Sequence, residues 1–298
     1  MQMPTKAFRR LRFRGDYWGY FFIAPFALFF LVFEVYPMIR AFYISLFDYG
    51  LGNQSWIGLD NYTYLLKDDV FIRSVVNTFG FVAGTVPLTF IFALFVASMI
   101  YKKNKYISSF FRGAFYLPVV TSQVILSLVW AWIYNPVNGM ANYMLSGFGI
   151  EPVMWTSDSR VALPALIIIV VTFNVGQPII LFLAAMGNIS TDYYEAADLD
   201  GANGLHKFWH ITMPLLKPTS LYILVMSTIW AFQTFVVVQL MTGGGPNYAT
   251  STIMYLLYNT AFVYGKLGMA SAMGILITAL ISVVAFAQFK LMKSDVEF

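Results

Sequence analysis

The densest cluster of ionisable groups lies in the connection 188–217, where Asp192, Glu195, Asp198 and Asp200 fall within nine residues. Positive-inside bias would favour lysine and arginine in such a connection, so an acidic first half breaks the pattern. A metal site is poorly supplied, because the chain has only two histidines, His206 and His210, both in this connection, and no cysteine. Without cysteine there are no disulfides, thiolate metal sites or cysteine nucleophiles. The nucleotide cradle G-x-x-x-x-G-K-[ST] is also absent, since Gly265-Lys266 lacks the upstream glycine spacing and the following hydroxyl residue. No catalytic residue and no metal ligand is therefore assigned. What remains is a structured, acidic surface. Asp192 is expected to cap a helix whose third residue is Glu195. That helix runs through Ala196 and Ala197 and ends near Gly201, where a left-handed C-cap favours glycine. A second segment, Leu205 to Met213, is expected to stop at Pro214. Ala196, Leu199 and Ala202 leave a face that a second protein can approach closely. The competing description is a solvated, capped hairpin with no partner.

A second group is polar but uncharged and sits in long apolar stretches. Asn174 and Gln177 share a helix face at i, i+3, just before Pro178, which can break the helix. Trp230 and Gln233 repeat that spacing, with Phe235 nearby; Asn77 and Gln123 are further candidates. Such groups either face a polar path or bond to neighbouring helices, a contact worth about 0.6 kcal/mol on average. Glu34 is the one carboxylate well inside an apolar stretch. Arg40 is not on its face, and one isolated acid makes a poor proton relay. A structural role is expected for Glu34, paired across to another helix or near an interface.

The elements that must position these residues are membrane helices. Of the 298 residues, 59% are hydrophobic and 11% charged, against roughly 25% charged in soluble domains, and mean hydropathy is +0.70. A helix needs about 20 apolar residues to cross a hydrocarbon core. Six stretches qualify: 18–46, 71–101, 113–134, 161–187, 218–241 and 267–292. The basic start precedes an apolar run with no small-residue cleavage pattern, and is read as an uncleaved first span. Basic residues alternate between connections. One set comprises Lys6, Arg9, Arg10, Arg12, Arg14, Lys102, Lys103, Lys105, Arg112, Lys207, Lys217, Lys290 and Lys293; the other has only Lys67, Arg73, Arg160 and Lys266. The positive-inside bias then places both termini in the cytoplasm. On the other side, a short helix is expected within Asn61 to Val70. Thr242 to Thr250 reads as a tight turn with three glycines before Pro246. No internal repeat or separate soluble domain is visible, so residues 1–298 form one transmembrane domain, an all-α membrane protein.

Glu195-Ala196-Ala197, three residues, Gly201, nine residues, then Ile211-Thr212-Met213-Pro214 resembles the EAA loop of binding-protein-dependent ABC importer permeases. Only Met213 departs from the usual leucine. Tyr36-Pro37, Gly58 to Tyr62 and Thr242 to Pro246 are similar to the carbohydrate-uptake branch, of the maltose and glycerol-phosphate permease type. The chain lacks that maltose permease's large extracytoplasmic insertion and extra amino-terminal spans.

The resemblance implies a type I importer permease fold of about six spans in the bacterial cytoplasmic (inner) membrane. It also implies four kinds of protein and ligand partner: a second homologous permease, two ATP-binding cassette subunits, an extracytoplasmic solute-binding protein and a sugar. ATP and Mg would be bound by the ATPase partners, with no cofactor on this chain and no nucleic acid. Glu195, Ala196, Ala197, Asp200, Gly201, Ile211 and Pro214 would couple to the ATPase, with Glu195 facing a basic residue. Asn174, Gln177, Trp230, Gln233, Phe235, Asn77 and Gln123 become candidates for the solute pathway. The alternatives are an ABC permease for a polyol, glycerol phosphate or polyamine, and an ion-coupled carrier, which would need midplane carboxylates that are lacking apart from Glu34. A membrane enzyme fares worst, with no HExxH, no intramembrane histidine and no paired carboxylates within a span.

Overall fold

A computed structural model describes residues 16–50, 52 and 54–292 of the chain. The amino-terminal basic residues Lys6 to Arg14, and Lys293, lie outside the described residues. The first apolar stretch is helical throughout: α1 (Asp16–Phe30), a π-helical turn at Leu31–Val35, then α2 (Tyr36–Ile44). Strands β1 (Phe47–Tyr49) and β2 (Gln54–Trp56) pair antiparallel with Phe47 opposite Trp56. The short helix expected after them is α3 (Asp60–Leu65). Asn61 holds it to the preceding chain, its amide donating to the Ser45 and Phe47 carbonyls at 2.8 and 3.0 Å.

Helix α4 (Asp69–Ile100) is the central post, begun by Asp68, whose carboxylate accepts the Phe71 N–H at 2.7 Å. At about 1.5 Å per residue, its 32 residues exceed the thickness of a hydrocarbon core. Next come α5 (Lys105–Val120), α6 (Gln123–Ile133), α7 (Met140–Ser146), α8 (Ala162–Asn174) and α9 (Gly176–Gly187). The acidic connection supplies α10 (Thr191–Leu199), α11 (Gly204–Lys207), a π-helical turn at Phe208–Thr212 and α12 (Met213–Leu215). The chain closes with α13 (Lys217–Phe232), α14 (Val236–Met241), α15 (Ile253–Tyr258), a π-helical turn at Asn259–Val263, and α16 (Leu267–Leu291).

Three helical segments, Gly19–Ile44, Asp69–Ile100 and Leu267–Leu291, are each long and apolar enough to cross a membrane. Three further pairs are bent: α5 and α6 by 102°, α8 and α9 by 47°, and Gly204–Leu215 against α13 by 67°. By length and composition alone, counting each pair as one span gives up to six; in the third pair the Gly204–Leu215 arm belongs to the 188–217 connection.

Two stretches expected as continuous spans are broken. The run 113–134 starts earlier, at Lys105, where the Asn104 side chain accepts the Ile107 N–H at 2.9 Å. It then stops because Pro118 removes an N–H from the last turn and Thr121 and Ser122 turn extended, with ψ of 144° and 132°. The Ser122 hydroxyl accepts the Val124 N–H at 3.3 Å and starts α6 in a new direction. The run 218–241 breaks likewise at Gln233–Phe235, between α13 and α14. The bend between α8 and α9 follows from Pro178, which cannot donate to the Asn174 carbonyl. Beyond the turn expected at Thr242 to Thr250, the connection 242–266 carries α15, capped by the Thr252 hydroxyl on the Tyr255 N–H at 3.3 Å. Its turn is as expected at Gly243 and Gly244, which take φ of +56° and +77°.

The core is built around α4. At the end near the 188–217 hairpin, Ala93, Val96, Ala97 and Ile100 meet Ile179, Phe182, Met186 and Leu216. In the middle, Phe81 packs with Leu166, Ile169, Phe173 and Val238. A third cluster joins Leu65, Phe71 and Phe232 to Ile253, Met273 and Ile277. By contrast, the most apolar window of Gly19–Ile44 has no buried residue. Helix α5 crosses α9 so closely that a Cβ on Gly176 would run into the Phe115 carbonyl and lie 2.8 Å from Val119 Cγ2. Gly187, on the same helix, has open space around it. Gly187→Ala should leave the protein unchanged or stabilise it by about 0.5–1 kcal/mol through the lower entropy of alanine. Gly176→Ala should instead destabilise it by about 1–3 kcal/mol through overpacking. Thermal melting of the two variants in one detergent checks the opposite signs.

Candidate functional site

Three helix breaks lie side by side. The segments around Thr121–Gln123, Asn174–Gln177 and Gln233–Phe235 line two adjoining cavities of about 180 and 110 Å³, which share Gln123, Phe173, Asn174 and Trp230. Gln177 belongs to the larger cavity, Gln233 and Phe235 to the smaller. Six sequence candidates drawn from four helices and one break thus meet at one place. Among the described residues, the side-chain amides of Gln123, Asn174, Gln177 and Gln233 have no hydrogen-bond partner within the chain. They are therefore not glue between this chain's helices. Among the described residues, no acidic, basic or histidine side chain lines either cavity. Free amides can donate to and accept from hydroxyl groups, while the faces of Trp230 and Phe235 offer apolar surface. Phe235 is held by Tyr258, ring centroids 4.5 Å apart.

Sequence reasoning missed Tyr222, Met226 and Ser227, which line the larger cavity. Tyr222, Met226 and Trp230 repeat at i, i+4, i+8 along α13, and that spacing was the available signal. The seventh candidate, Asn77, lies elsewhere. Its amide donates to the Tyr248 and Ser251 carbonyls at 2.7 and 3.0 Å, and Ser74 and Ser251 hydroxyls bond at 2.9 Å. Asn77 thus fastens the glycine-rich turn to α4. Glu34 is exposed on the π-helical turn of the first stretch. The expected pairing across to another helix is not found among the described residues. The Arg40 guanidinium lies 5.9 Å from the centre of the Tyr43 ring.

The acidic connection is a helical hairpin, with one correction to its start. Ser190, not Asp192, caps α10, its hydroxyl accepting the Asp192 N–H at 3.3 Å. Serine comes first along the chain and meets the same orphan donors, so Glu195 falls beyond the first turn. The far end is as expected. Gly201 takes φ +73°, Gly201 N–H donates to the Asp198 carbonyl at 3.1 Å, and Ala202 N–H to the Ala197 carbonyl at 2.9 Å. Those two bonds make a Schellman C-cap. Asn203 then caps α11, accepting the His206 N–H at 2.8 Å. Pro214 does not stop the second segment; it occupies the first turn of α12, where a missing N–H is harmless. The hairpin is closed by Lys207 on Asp198 and by a 2.9 Å hydroxyl contact between Tyr194 and Thr212. Glu195, Ala196 and Asp200 are exposed, Ala197 and Ile211 half-buried, and Leu199 is 91% exposed. With Tyr193, Leu205 and Trp209 also exposed, the hairpin offers apolar groups and unpaired acids to the outside.

Comparison with known proteins was made against this geometry. The family described as "Binding-protein-dependent transport system inner membrane component" matches residues 71–297. The arabinooligosaccharides transport system permease protein AraP of Bacillus subtilis is 32% identical over 91% of this chain and 87% of its own length. The sn-glycerol-3-phosphate transport system permease protein UgpA of Brucella abortus is 31% identical over 94% of this chain and 96% of its own. In fold, the chain is similar to a chain of a bacterial ABC transporter involved in the import of the acidic polysaccharide alginate. That match has a TM-score of 0.81 at 24% identity, covering 95% of this chain and 97% of the other.

The hairpin geometry is open to a direct test. Gly201→Val forces a branched side chain into the left-handed region, at about 1–2 kcal/mol. Hydrogen exchange at the Gly201 and Ala202 amides should then quicken by roughly 5- to 30-fold. Asn203→Ala should quicken exchange at His206 by a smaller factor, for a lost cap of about 1 kcal/mol.

Proposed function

The chain belongs to the family of binding-protein-dependent transport system inner membrane components, and from that membership we propose that it is the pore-forming permease subunit of an ATP-driven importer for a neutral carbohydrate. The observation that carries the substrate class is the uncharged cavity with four free amides and two aromatic faces at the helix breaks. Sugars are held by hydrogen bonds to hydroxyls and by apolar ring faces against aromatic rings. A phosphate or carboxylate substrate would need a cation or a cluster of donors to replace its hydration, which weighs against glycerol phosphate despite the similarity to UgpA. The similarity to AraP, whose name gives an oligosaccharide substrate, agrees with a sugar.

In this reading the chain forms one transmembrane domain of six spans in the bacterial cytoplasmic membrane, with both termini and the 188–217 hairpin on the cytoplasmic side. It pairs with a second homologous permease, receives sugar from an extracytoplasmic solute-binding protein, and docks on two ATP-binding subunits that bind ATP and Mg. The hairpin's exposed Glu195, Ala196, Asp200 and Leu199 meet the ATPase, with Ala197, Gly201, Ile211 and Pro214 giving the hairpin its shape. Force on α10 passes through the Tyr194–Thr212 contact into α12 and the buried Leu216. From there it enters α13, which bears Trp230 and leads to Gln233. ATPase closure and the shape of the cavity are linked by that one continuous path, and alternating access is the rocking of α13 and its neighbours about it.

Two outcomes are expected. Glu195→Lys should abolish ATP-driven uptake and reduce co-purification of the ATPase while membrane insertion stays normal. Asn174→Leu and Gln233→Leu should each lower uptake efficiency by about two- to tenfold, for one lost hydrogen bond of about 0.5–1.5 kcal/mol, without affecting ATPase recovery. Radiolabelled sugar uptake, with mass spectrometry of a pull-down from native membranes, reads both. Recovery of the chain alone, with uptake that survives Glu195→Lys, would sink the assignment.

A further inference from the structure

A third cavity, of about 200 Å³, lies apart from those at the helix breaks, between the hairpin and the ends of α4 and α9. Its polar lining is Ser98, Tyr101 and Lys102 from α4 and its end, and Tyr194, Lys207 and Thr212 from the hairpin. Lys102 and Lys207 line it and, among the described residues, no acidic residue does. The Lys207 side chain is only 16% exposed, whereas its partner Asp198 is 64% exposed on the rim. The Lys207 ammonium is paired with that rim carboxylate alone, and a solvent-screened carboxylate compensates a charge weakly. Lys102, an exposed residue at the cavity's edge, places its ammonium 5.5 Å from the centre of the Tyr194 ring, with no ion pair among the described residues. The Tyr101 hydroxyl likewise has no hydrogen-bond partner there. The walls therefore offer one unpaired ammonium, a second shared with a rim carboxylate, and at least one free hydroxyl donor, around a space large enough for a tetrahedral oxyanion and several waters of about 30 Å³ each.

We propose that this cavity is a phosphate-binding site, filled by the phosphate of an anionic phospholipid headgroup or of a soluble phosphate compound. The charge balance favours a phosphate over a neutral ligand, and a basic pocket between helix ends at the cytoplasmic membrane face is where headgroup phosphates are met. Because Lys102 stands on the α4 end and Lys207 on the hairpin, one bound phosphate ties the two together. Its influence on coupling, and the lipid as its source, rest on the proposed cytoplasmic, ATPase-docking placement of the hairpin; the binding of phosphate itself does not.

The full chain, in the assembly in which it leaves the membrane, is taken into dodecyl maltoside, loaded with phosphatidylglycerol or phosphatidylcholine, and weighed by native mass spectrometry. One tightly retained phosphatidylglycerol is expected, lost in Lys102→Gln and in Lys207→Gln. It should be kept in Lys103→Gln, a neighbouring lysine outside the cavity, and in Asp198→Asn, which removes the ion pair but not the cavity's charge. The same lipid-free samples are titrated with inorganic phosphate while exchange of hairpin amides 198–208 is followed. Protection by phosphate that Lys102→Gln removes, without lipid retention, assigns the site to a soluble phosphate. Lipid retention and phosphate protection that are absent, or indifferent to both lysine substitutions, overturn the proposal. Because both readouts score binding and not transport, failure of the importer reading would leave them unaltered.

Discussion

The rest of the structure depends on how backbone polar groups are satisfied where apolar helices break. In hydrocarbon an unpaired N–H or C=O costs several kcal/mol, so irregular backbone survives only with side-chain partners or beside a polar space. Both devices are present. Thr121 Oγ1 donates to the Leu117 carbonyl at 2.8 Å, and Thr252 Oγ1 to the Thr234 carbonyl at 3.1 Å. At the bend in the fourth apolar stretch no hydroxyl among the described residues replaces the bond that Pro178 cannot make, and Asn174 lines the cavity. The breaks and the cavities are thus one feature: the helices are interrupted where a polar space can take up the groups the interruption frees, a pattern met in transporters built from discontinuous helices.

The unbroken helices complement the broken ones. Helix α4 keeps its full length and packs on both halves of the α8–α9 bend and on α13. Its contact face is small: Gly84, whose Cβ would lie 2.6 Å from Ile167 Cδ1, then Thr85, Thr89, Ala93 and Ala97, all fully or nearly buried beyond Gly84. Helices in lipid gain little from hydrophobic burial against one another, so close approach over small residues supplies the packing. One straight helix flanked by three bent pairs is thus the frame on which the cavities are built.

Much of the hairpin was legible because its chemistry is local. Gly201 was expected at a left-handed C-cap and takes φ +73°, and the Pro178 bend was visible from the residue alone. Ser190 was overlooked as a cap because the Asp192–Glu195 spacing matched a familiar box, yet the first available side-chain oxygen wins. The turn of 102° after α5 was hidden for a different reason. Residues 113–134 are apolar enough to cross a membrane whether straight or folded, and hydropathy reports environment rather than direction. Only Pro118 with Thr121-Ser122 marked the corner. Helix α15 was hidden by its shortness, six residues held by a Thr252 cap and by the Thr78 hydroxyl accepting the Ile253 N–H at 3.0 Å from α4.

Candidate residues for the cavity were found individually by polarity, and their convergence could not be read from spacing, since they come from stretches separated by tens of residues. What separates Asn77 from the other amides is the presence of a loop backbone within reach. The Tyr248 and Ser251 carbonyls consume its two donors, whereas Gln123, Asn174, Gln177 and Gln233 face space. An amide in an apolar helix is equally compatible with either fate, and sequence polarity carries no information about which carbonyls stand opposite. The distinction has a consequence for how the two ends of the molecule work. Asn77 spends its hydrogen bonds fixing a turn whose Gly243, Gly244, Asn247 and Tyr248 all hold positive φ, a shape that has to be kept. The cavity amides remain unspent, so their hydrogen-bonding capacity is available to a ligand.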